Sequence, residues 1–352
     1  MKTLTQKYLT PVGCFQKILL DEEKSLRLVI TGRCNLACEF CVYKIRDFYS
    51  PEVHSPKFVE MNPTKKLKNL LEKMKKHLGY NIVHLTGGEP TIAQNIAKIA
   101  KLSKDIGFRV NLCSNLVFMK PLLHLLQKGL LNELTFSYLP LDSENQRVNF
   151  PIYERPDKTR IKNIMGNAEF IKTNFPDLIV KSNIIISPFS DINNLVKFVY
   201  WCWRKGIVPR VQRDRSSNRI LGSTKKTLKL LETLEVNPKK VILRIPGATE
   251  ICEFKSSSGK IIYVKIFNKN FRPCEICKFC NKKDKCSKSL SNIRIYDTTN
   301  GPIMCFCTKH NEDFAHLNIE QFFKSDVFDE MKGYKKNKLL YFSKFCTNPN
   351  FQ

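Results

Sequence analysis

Three cysteines stand within eight positions of one stretch, Thr-Gly-Arg-Cys-Asn-Leu-Ala-Cys-Glu-Phe-Cys-Val-Tyr-Lys, residues 31–44. Cys34, Cys38 and Cys41 put three thiols on a single loop with no histidine among them. A structural zinc site takes four protein ligands, usually as two separated pairs, so this set is one ligand short. Three thiolates around a four-iron cluster leave one iron without a protein ligand, and an open iron can bind a substrate or cofactor. A second concentration of thiols lies far along the chain, at Cys274, Cys277, Cys280, Cys286, Cys305, Cys307 and Cys346. Those 7 of the chain's 14 cysteines exceed what packing needs, which leaves a zinc ribbon or a further iron–sulfur centre. Cys14, Cys113, Cys202 and Cys252 stand singly and read as plain buried residues.

The elements that must position these groups can be read from the pattern. Six short β-branched or apolar runs alternate with helical stretches between residues 25 and 236. The strands expected are 26–31, 81–86, 109–115, 133–139, 179–186 and 208–214. Alternation of this kind predicts a parallel sheet wrapped by helices. Two of the helical stretches are 91–107 and 191–206, each stopped by a glycine. Six β-α units fall short of the eight that close a full barrel, so the expected fold is an open, partial (βα)6 barrel of the TIM type. Working groups in such barrels gather at the C-terminal ends of the strands. The three-cysteine loop follows the first strand, Gly87-Gly88-Glu89-Pro90 follows the second, Ser114 closes the third, Ser137 lies late in the fourth and Asn183 lies in the fifth. From about residue 237 the pattern changes to short strands and Cys-rich loops, with Asn300-Gly301 as a hairpin turn. The expected organisation is an extension over 1–24, a partial barrel over 25–236 and a Cys-rich domain over 237–352.

With 352 residues and 42% hydrophobic content, the chain can build a sizeable core without disulfide staples. Polar residues break every apolar run near the N-terminus, and no run reaches about 18 apolar residues. A soluble cytoplasmic protein with no membrane partner is expected. The 59 basic against 32 acidic residues give a formal net charge of +27, which favours anionic partners unless the lysines merely solvate helix faces, as residues 64–80 suggest.

The spacing Cys34-x3-Cys38-x2-Cys41, with Phe40 before the last cysteine and Gly87-Gly88-Glu89-Pro90 one unit later, resembles the radical S-adenosylmethionine (SAM) enzymes. The resemblance implies a 4Fe–4S cluster whose open iron is chelated by the amino and carboxylate groups of SAM. It also implies a reductant, such as a flavodoxin or ferredoxin, whose electron cleaves SAM to a 5′-deoxyadenosyl radical that abstracts hydrogen from the substrate. Glu89 would offer its carboxylate to the SAM ammonium, while Gly87 and Gly88 would let backbone approach the methionine part. Backbone around Tyr43 would receive the adenine, and Ser114, Ser137 and Asn183 would meet the SAM carboxylate or ribose. An electron carrier would have no use for such a carboxylate, which argues against a purely electron-transfer role.

Residues 25–215 and 277–307 further resemble the molybdenum cofactor biosynthesis protein A family of GTP cyclases, and Cys277, Cys280 and Cys305 match its three C-terminal cluster ligands. Cys274, Cys286 and Cys307 extend the set, which points to one or two auxiliary 4Fe–4S clusters and also resembles the SPASM and twitch maturases of peptides. The departures are specific. Asn281-Lys282-Lys283-Asp284 stands where the cyclases carry arginines, Arg294 alone suggests their arginine strand, and the Gly-Gly tail is absent. Arg210, Arg213 and Arg215, on and just past the sixth strand, are suited to clamp phosphate or carboxylate. The expected substrate is a small anionic, nucleotide-like molecule, with an acidic peptide as the alternative. RNA is a third reading: residues 221–288 carry sixteen basic and six acidic side chains but no recognisable nucleic-acid module.

Overall fold

The computed structural model describes residues 17–20, 24–35, 58–138, 158–213, 220–244, 249–267, 293–305, 316–325, 328–329 and 332. In chain order the first elements are β1 (Lys17–Leu20), β2 (Lys24–Thr31), β3 (Phe58–Val59), α1 (Lys65–Leu78), β4 (Tyr80–Gly87), α2 (Ile96–Asp105), β5 (Arg109–Ser114) and α3 (Met119–Gln127). There follow β6 (Glu133–Tyr138), α4 (Lys158–Asn174), β7 (Ile179–Ile186), α5 (Ile192–Arg204), β8 (Val208–Arg213) and α6 (Ile220–Thr233). All six strands expected from the sequence form, and β2, β4, β5, β6, β7 and β8 lie side by side in that order, every neighbouring pair parallel. One helix follows each of the six, the arrangement that short right-handed crossovers impose. The protein has a mixed α/β fold built on this parallel sheet.

The helices form where the sequence supplies both an apolar stripe and stops. In α1, Leu67, Leu70, Leu71, Met74 and Leu78 are buried, the Thr64 side chain accepts from Leu67 N, and Gly79 takes the left-handed C-cap with φ 72°. Its lysines occupy the opposite, solvated side, as the spacing predicts. Asp191 caps α5 in the same way by accepting from Asn193 N and Asn194 N. The helix expected from residue 91 instead begins at Ile96. Pro90–Ile92 forms a separate 3-10 turn, because the Glu89 side chain accepts from Thr91 N and caps it there.

Alternation along the strands gives the sheet two unlike faces. Leu28, Leu85, Leu112, Phe136, Ile184 and Val211, one from each parallel strand, belong to a single buried core. That core is completed by helix residues such as Leu71, Ile99, Leu125 and Phe198. The opposite face carries Arg27, His84, Asn111, Glu133, Lys181 and Arg210. Register places Arg27 beside His84, His84 beside Asn111, and Asn111 beside Glu133. A parallel sheet covered on both faces reads as near-continuous apolar runs. Here only one face is written for burial under helices, and the other is lined for polar contacts.

Further strands prolong the sheet at both ends. The change of pattern near residue 237 coincides with β9 (Asn237–Arg244), which pairs antiparallel with β10 (Thr249–Lys255) and parallel with β1. Next, β11 (Ile261–Phe267) pairs antiparallel with β10 and parallel with β8. At the other end β12 (Arg294–Thr298) runs parallel to β2 and pairs antiparallel with β13 (Ile303–Cys305), followed by β14 (His316–Asn318) and the short α7 (Ile319–Phe323). The β12–β13 hairpin turns at Asn300-Gly301 as expected, with Thr298 and Gly301 exchanging backbone hydrogen bonds and Gly301 at φ 110°. No described helix is long and apolar enough to cross a membrane.

Candidate functional site

The end of β2 and the end of β4 meet backbone to backbone. Gly88 N donates to Thr31 O and Glu89 N to Arg33 O, both at 2.8 Å. A Cβ on Gly87, at φ 135°, would lie 2.3 Å from Thr31 O, and one on Gly88 would lie 2.1 Å from Arg33 O. These contacts are far inside van der Waals distance, so both positions must be glycine for the loop bearing Cys34 to sit against β4. The reading from sequence gave the two glycines to the approach of a ligand; an approach between two loops of the chain itself already demands them. Arg33 Nη2 donates to Glu60 Oε2 at 2.5 Å, and Gln94 N donates to Glu60 Oε1 at 3.0 Å, which ties the same loop to the start of α2.

Glu89 is 1% exposed and works as a hub. Its Oε1 accepts from Thr91 N at 3.1 Å, Thr91 Oγ1 at 2.7 Å and Ser114 Oγ at 2.9 Å, and its Oε2 accepts from Asn115 N at 2.7 Å. Burial raises the pKa of this carboxyl, opposed by the four hydrogen bonds, which favour the ionised form. Ser114 thus spends its hydroxyl hydrogen on Glu89, and Oε2, with a single donor, keeps room for another.

From the same hub a chain of amides reaches the cysteine loop. Asn115 Nδ2 donates to Asn35 Oδ1 at 2.6 Å, and Asn115 Oδ1 accepts from Val117 N at 3.1 Å. The neighbouring Leu116 takes a left-handed φ of 60°. Cys34 Sγ lies 4.0 Å from Asn35 Oδ1, the reach of a weak thiol donor. Asn35 Nδ2 is buried with no hydrogen-bond acceptor among the described residues. Neither Asn35 nor Asn115 is singled out by sequence spacing; an Asn directly after the first loop cysteine was the available signal.

On the polar face Asn183 Oδ1 accepts from Arg210 Nε at 2.7 Å and from Gln212 Nε2 at 2.8 Å. That acceptance turns the Asn183 amide hydrogens away from Arg210. Beside it in register lies Ser137, which is exposed. Lys181 Nζ and Glu133 Oε2 pair at 2.6 Å, with Glu133 only 5% exposed. Lys240 and Tyr263 both donate to Glu253, and burial, reinforced by the Glu253 carboxylate, lifts the Tyr263 pKa to about 12. Glu133 and Glu253 are thus each paired with a lysine, and Arg27, Arg210, Arg294 and Lys265 share the same face. Cys113 shares the face and is only half-buried by its surface exposure, short of the plain buried cysteine expected, although desolvation still pushes its thiol pKa up. Cys202 and Cys252 are fully buried, as expected of single cysteines.

Arg294 is 7% exposed and stands beside Arg27 in register. Cys305 is buried in a small cluster with Val29 and Tyr296. Cys38, Cys41, Tyr43, Arg215, Cys274, Cys277, Cys280, Cys286 and Cys307 lie outside the described residues, as do Cys14 and Cys346 and the side chain of Arg213. Among the described residues no group of three or more His, Cys, Asp or Glu side chains is placed to hold a metal ion.

A glycine ridge, a buried carboxylate hub and a cysteine loop at adjoining strand ends of a parallel α/β sheet define a class. Residues 28–199 match the Radical SAM superfamily; this span belongs to that superfamily, and the chain is a radical SAM enzyme. Relatives include the GTP 3′,8-cyclase of Haemophilus ducreyi, 25% identical over 268 residues, covering 73% of this chain and 72% of that protein. The GTP 3′,8-cyclase of Aquifex aeolicus is 33% identical over 128 residues, which are 36% of this chain and 38% of that protein. Among solved structures, anSMEcpe with bound AdoMet and Cp18Cys peptide aligns with a TM-score of 0.54 and 10% identity, covering 88% of this chain and 82% of that one. Streptococcus suis SuiB aligns with a TM-score of 0.52 and 14% identity, covering 89% of this chain and 66% of that one. At these identities the likeness to the two structures is one of fold.

SAM and a 4Fe–4S cluster are the cofactors of this family, and the described residues fit them. Asn35, beside Cys34, presents a buried donor with no acceptor among the described residues, and the Cβ-free ridge at Gly87-Gly88 keeps that loop in place.

Proposed function

We propose that the chain acts on a small anionic, nucleotide-like substrate held on the polar face of the sheet, which lines a partial (βα)6 barrel. When bound, the reduced cluster and SAM supply a 5′-deoxyadenosyl radical that abstracts hydrogen from that substrate. Cys34, Cys38 and Cys41 are the residues that hold the cluster in this reading. The Gly87-Gly88-Glu89 segment and the backbone near Tyr43 bind SAM, with the spare lone pair of Glu89 Oε2 as one acceptor for its ammonium. Asn183 can turn its amide hydrogens to the SAM ribose or carboxylate, since its oxygen is occupied by Arg210 and Gln212.

The observation that carries the substrate reading is the charge of the polar face. Glu133 and Glu253 pair with Lys181 and Lys240, and Arg27, Arg210, Arg294 and Lys265 stand on the same face as further basic side chains. Guanidinium groups on such a face favour phosphate oxygens through bidentate, charge-assisted hydrogen bonds. The similarity to proteins named GTP 3′,8-cyclase supports the same reading. The Cys-rich region from 237 to 352 completes the enzyme in this reading: Cys274, Cys277, Cys280, Cys286, Cys305 and Cys307 supply one or two auxiliary clusters. A flavodoxin or ferredoxin serves as reductant.

The test uses anaerobically reconstituted protein with dithionite and SAM. Release of 5′-deoxyadenosine should rise with nucleoside triphosphates and not with peptides; stimulation by peptides alone would move the substrate to the maturase class. Iron should remain after Cys34, Cys38 and Cys41 are all changed to Ala. Iron near zero in that variant would remove the auxiliary clusters.

A further inference from the structure

We propose that Asn35 is a positioning residue for the cluster of the cysteine loop, its side-chain amide donating to a sulfur of that cluster, with Asn115 setting its orientation. The inference rests on the reading that Cys34, Cys38 and Cys41 hold the cluster. Its own support is separate. Asn35 Nδ2 is a buried donor with no acceptor among the described residues, a state that is costly unless something receives the hydrogen. The amide cannot relieve this cost by turning over. Asn35 Oδ1 accepts from Asn115 Nδ2 at 2.6 Å, so a flipped Asn35 would point donor at donor. Asn115 is itself held, its backbone N by Glu89 Oε2 at 2.7 Å and its Oδ1 by Val117 N at 3.1 Å. The carboxylate hub, Asn115 and Asn35 therefore form one rigid line that ends at the residue beside Cys34.

What the line ends on follows from charge. As a thiol, Cys34 reaches Asn35 Oδ1 as a weak donor at 4.0 Å. Ligation to iron removes that proton, and a metal-bound thiolate or sulfide accepts hydrogen bonds instead. Among the described residues Asn35 Nδ2 is a buried donor, on the residue next to Cys34, that can serve it. Hydrogen bonds to the sulfurs of an iron–sulfur cluster stabilise the reduced, more negative state and so raise its reduction potential. Asn35 accordingly makes the cluster easier to reduce, and Asn115 acts through it.

The experiment compares reconstituted wild type, Asn35→Ala, Asn35→Asp and Asn115→Ala without SAM. Each is titrated with dithionite and followed by the electron paramagnetic resonance of the reduced cluster. The signal of the triple Cys34, Cys38 and Cys41 to Ala variant is subtracted as background. Asn35→Ala should keep its iron while its potential becomes more negative. At a fixed poise the ratio of reduced to oxidised cluster should fall about tenfold, equivalent to 59 mV for one electron. Asn35→Asp should shift at least as far, and Asn115→Ala in the same direction but less. Affinity for SAM should change by less than about twofold. An unchanged potential in iron-replete Asn35→Ala overturns the proposal. So does an unchanged potential with weakened SAM binding, which would assign the amide to the SAM carboxylate. Were Asn35→Ala to lose its iron, Asn115→Ala decides, and an unshifted potential there overturns the proposal as well. Failure of the cluster reading itself would look different: the Cys34, Cys38 and Cys41 variant would retain the subtracted signal and the full iron content.

Discussion

The two faces of the parallel sheet are built from the same strands, residue by alternate residue, and they do different work. Leu112 and Phe136 point to a core that excludes water, whereas Asn111 and Glu133, each a neighbour in sequence or register, line a face of polar and charged groups. Burial on the helix side supplies the stability that lets the other side keep groups poorly suited to packing. Stability and chemistry are therefore separable by face, and substitutions on the two faces should differ in what they damage.

The largest stability loss is expected on the apolar face. Phe136→Ala, at a fully buried site between strands and helices, should destabilise by about 3–5 kcal/mol in guanidinium unfolding. A loss below about 1 kcal/mol would break the division between the faces.

Glu89→Gln comes next, at about 2–3 kcal/mol, because an amide nitrogen would meet hydrogen-bond donors now satisfied by carboxylate oxygen. Its cost should depend on pH. Burial raises the folded pKa of Glu89 above the value near 4.3 of an unfolded glutamate, so the folded state binds this proton more tightly. The associated stability is complete below the unfolded pKa and is lost as pH rises through the folded one. The margin of wild type over Glu89→Gln in the iron-free protein should accordingly be larger at about pH 5 than at about pH 8. A margin that grows toward pH 8 would mean that the four donors outweigh burial.

Lys181→Met should cost about 2 kcal/mol, because it strands the nearly buried Glu133 carboxylate with the weak donor Thr135 Oγ1 at 3.3 Å. Adding Glu133→Leu should restore most of the loss. No recovery would show that the pair does more than neutralise itself.

The smallest stability effect belongs to Arg210→Ala, under about 1 kcal/mol, since the side chain is only part-buried. The same variant should weaken nucleoside triphosphate binding more than about tenfold, because one bidentate, charge-assisted contact is removed. A large melting shift with unchanged binding would move Arg210 from the substrate to the scaffold.

Much of this could be read without coordinates. Strand and helix positions followed from alternating hydrophobic runs, because helices must cover one side of each strand and glycine stops such as Gly107 and Gly206 need a left-handed φ. The start of α2 was misread because Glu89 caps a separate 3-10 turn, a competition between side chain and helix that periodicity does not record. Cys34 and the Gly87-Gly88-Glu89 segment were visible as motifs, since chemistry that needs particular residue types at fixed spacing leaves a local trace.

What the amino-acid order determined alone was this local matter: which residues form strands, where turns fall, and that three thiols share one loop. Tertiary structure decided the rest. Only the pairing of β2 with β4 shows that Gly87 and Gly88 are required by Thr31 and Arg33, more than fifty residues away. Only the meeting of three strand ends joins Glu89, Asn115 and Asn35 into a line, and only lateral register sets Arg27 beside Arg294. The physical reason is that hydrogen bonds and charge contacts act over a few ångströms of space. Spacing along the chain reports such distances within one loop or helix, and carries none between strands until the sheet has assembled.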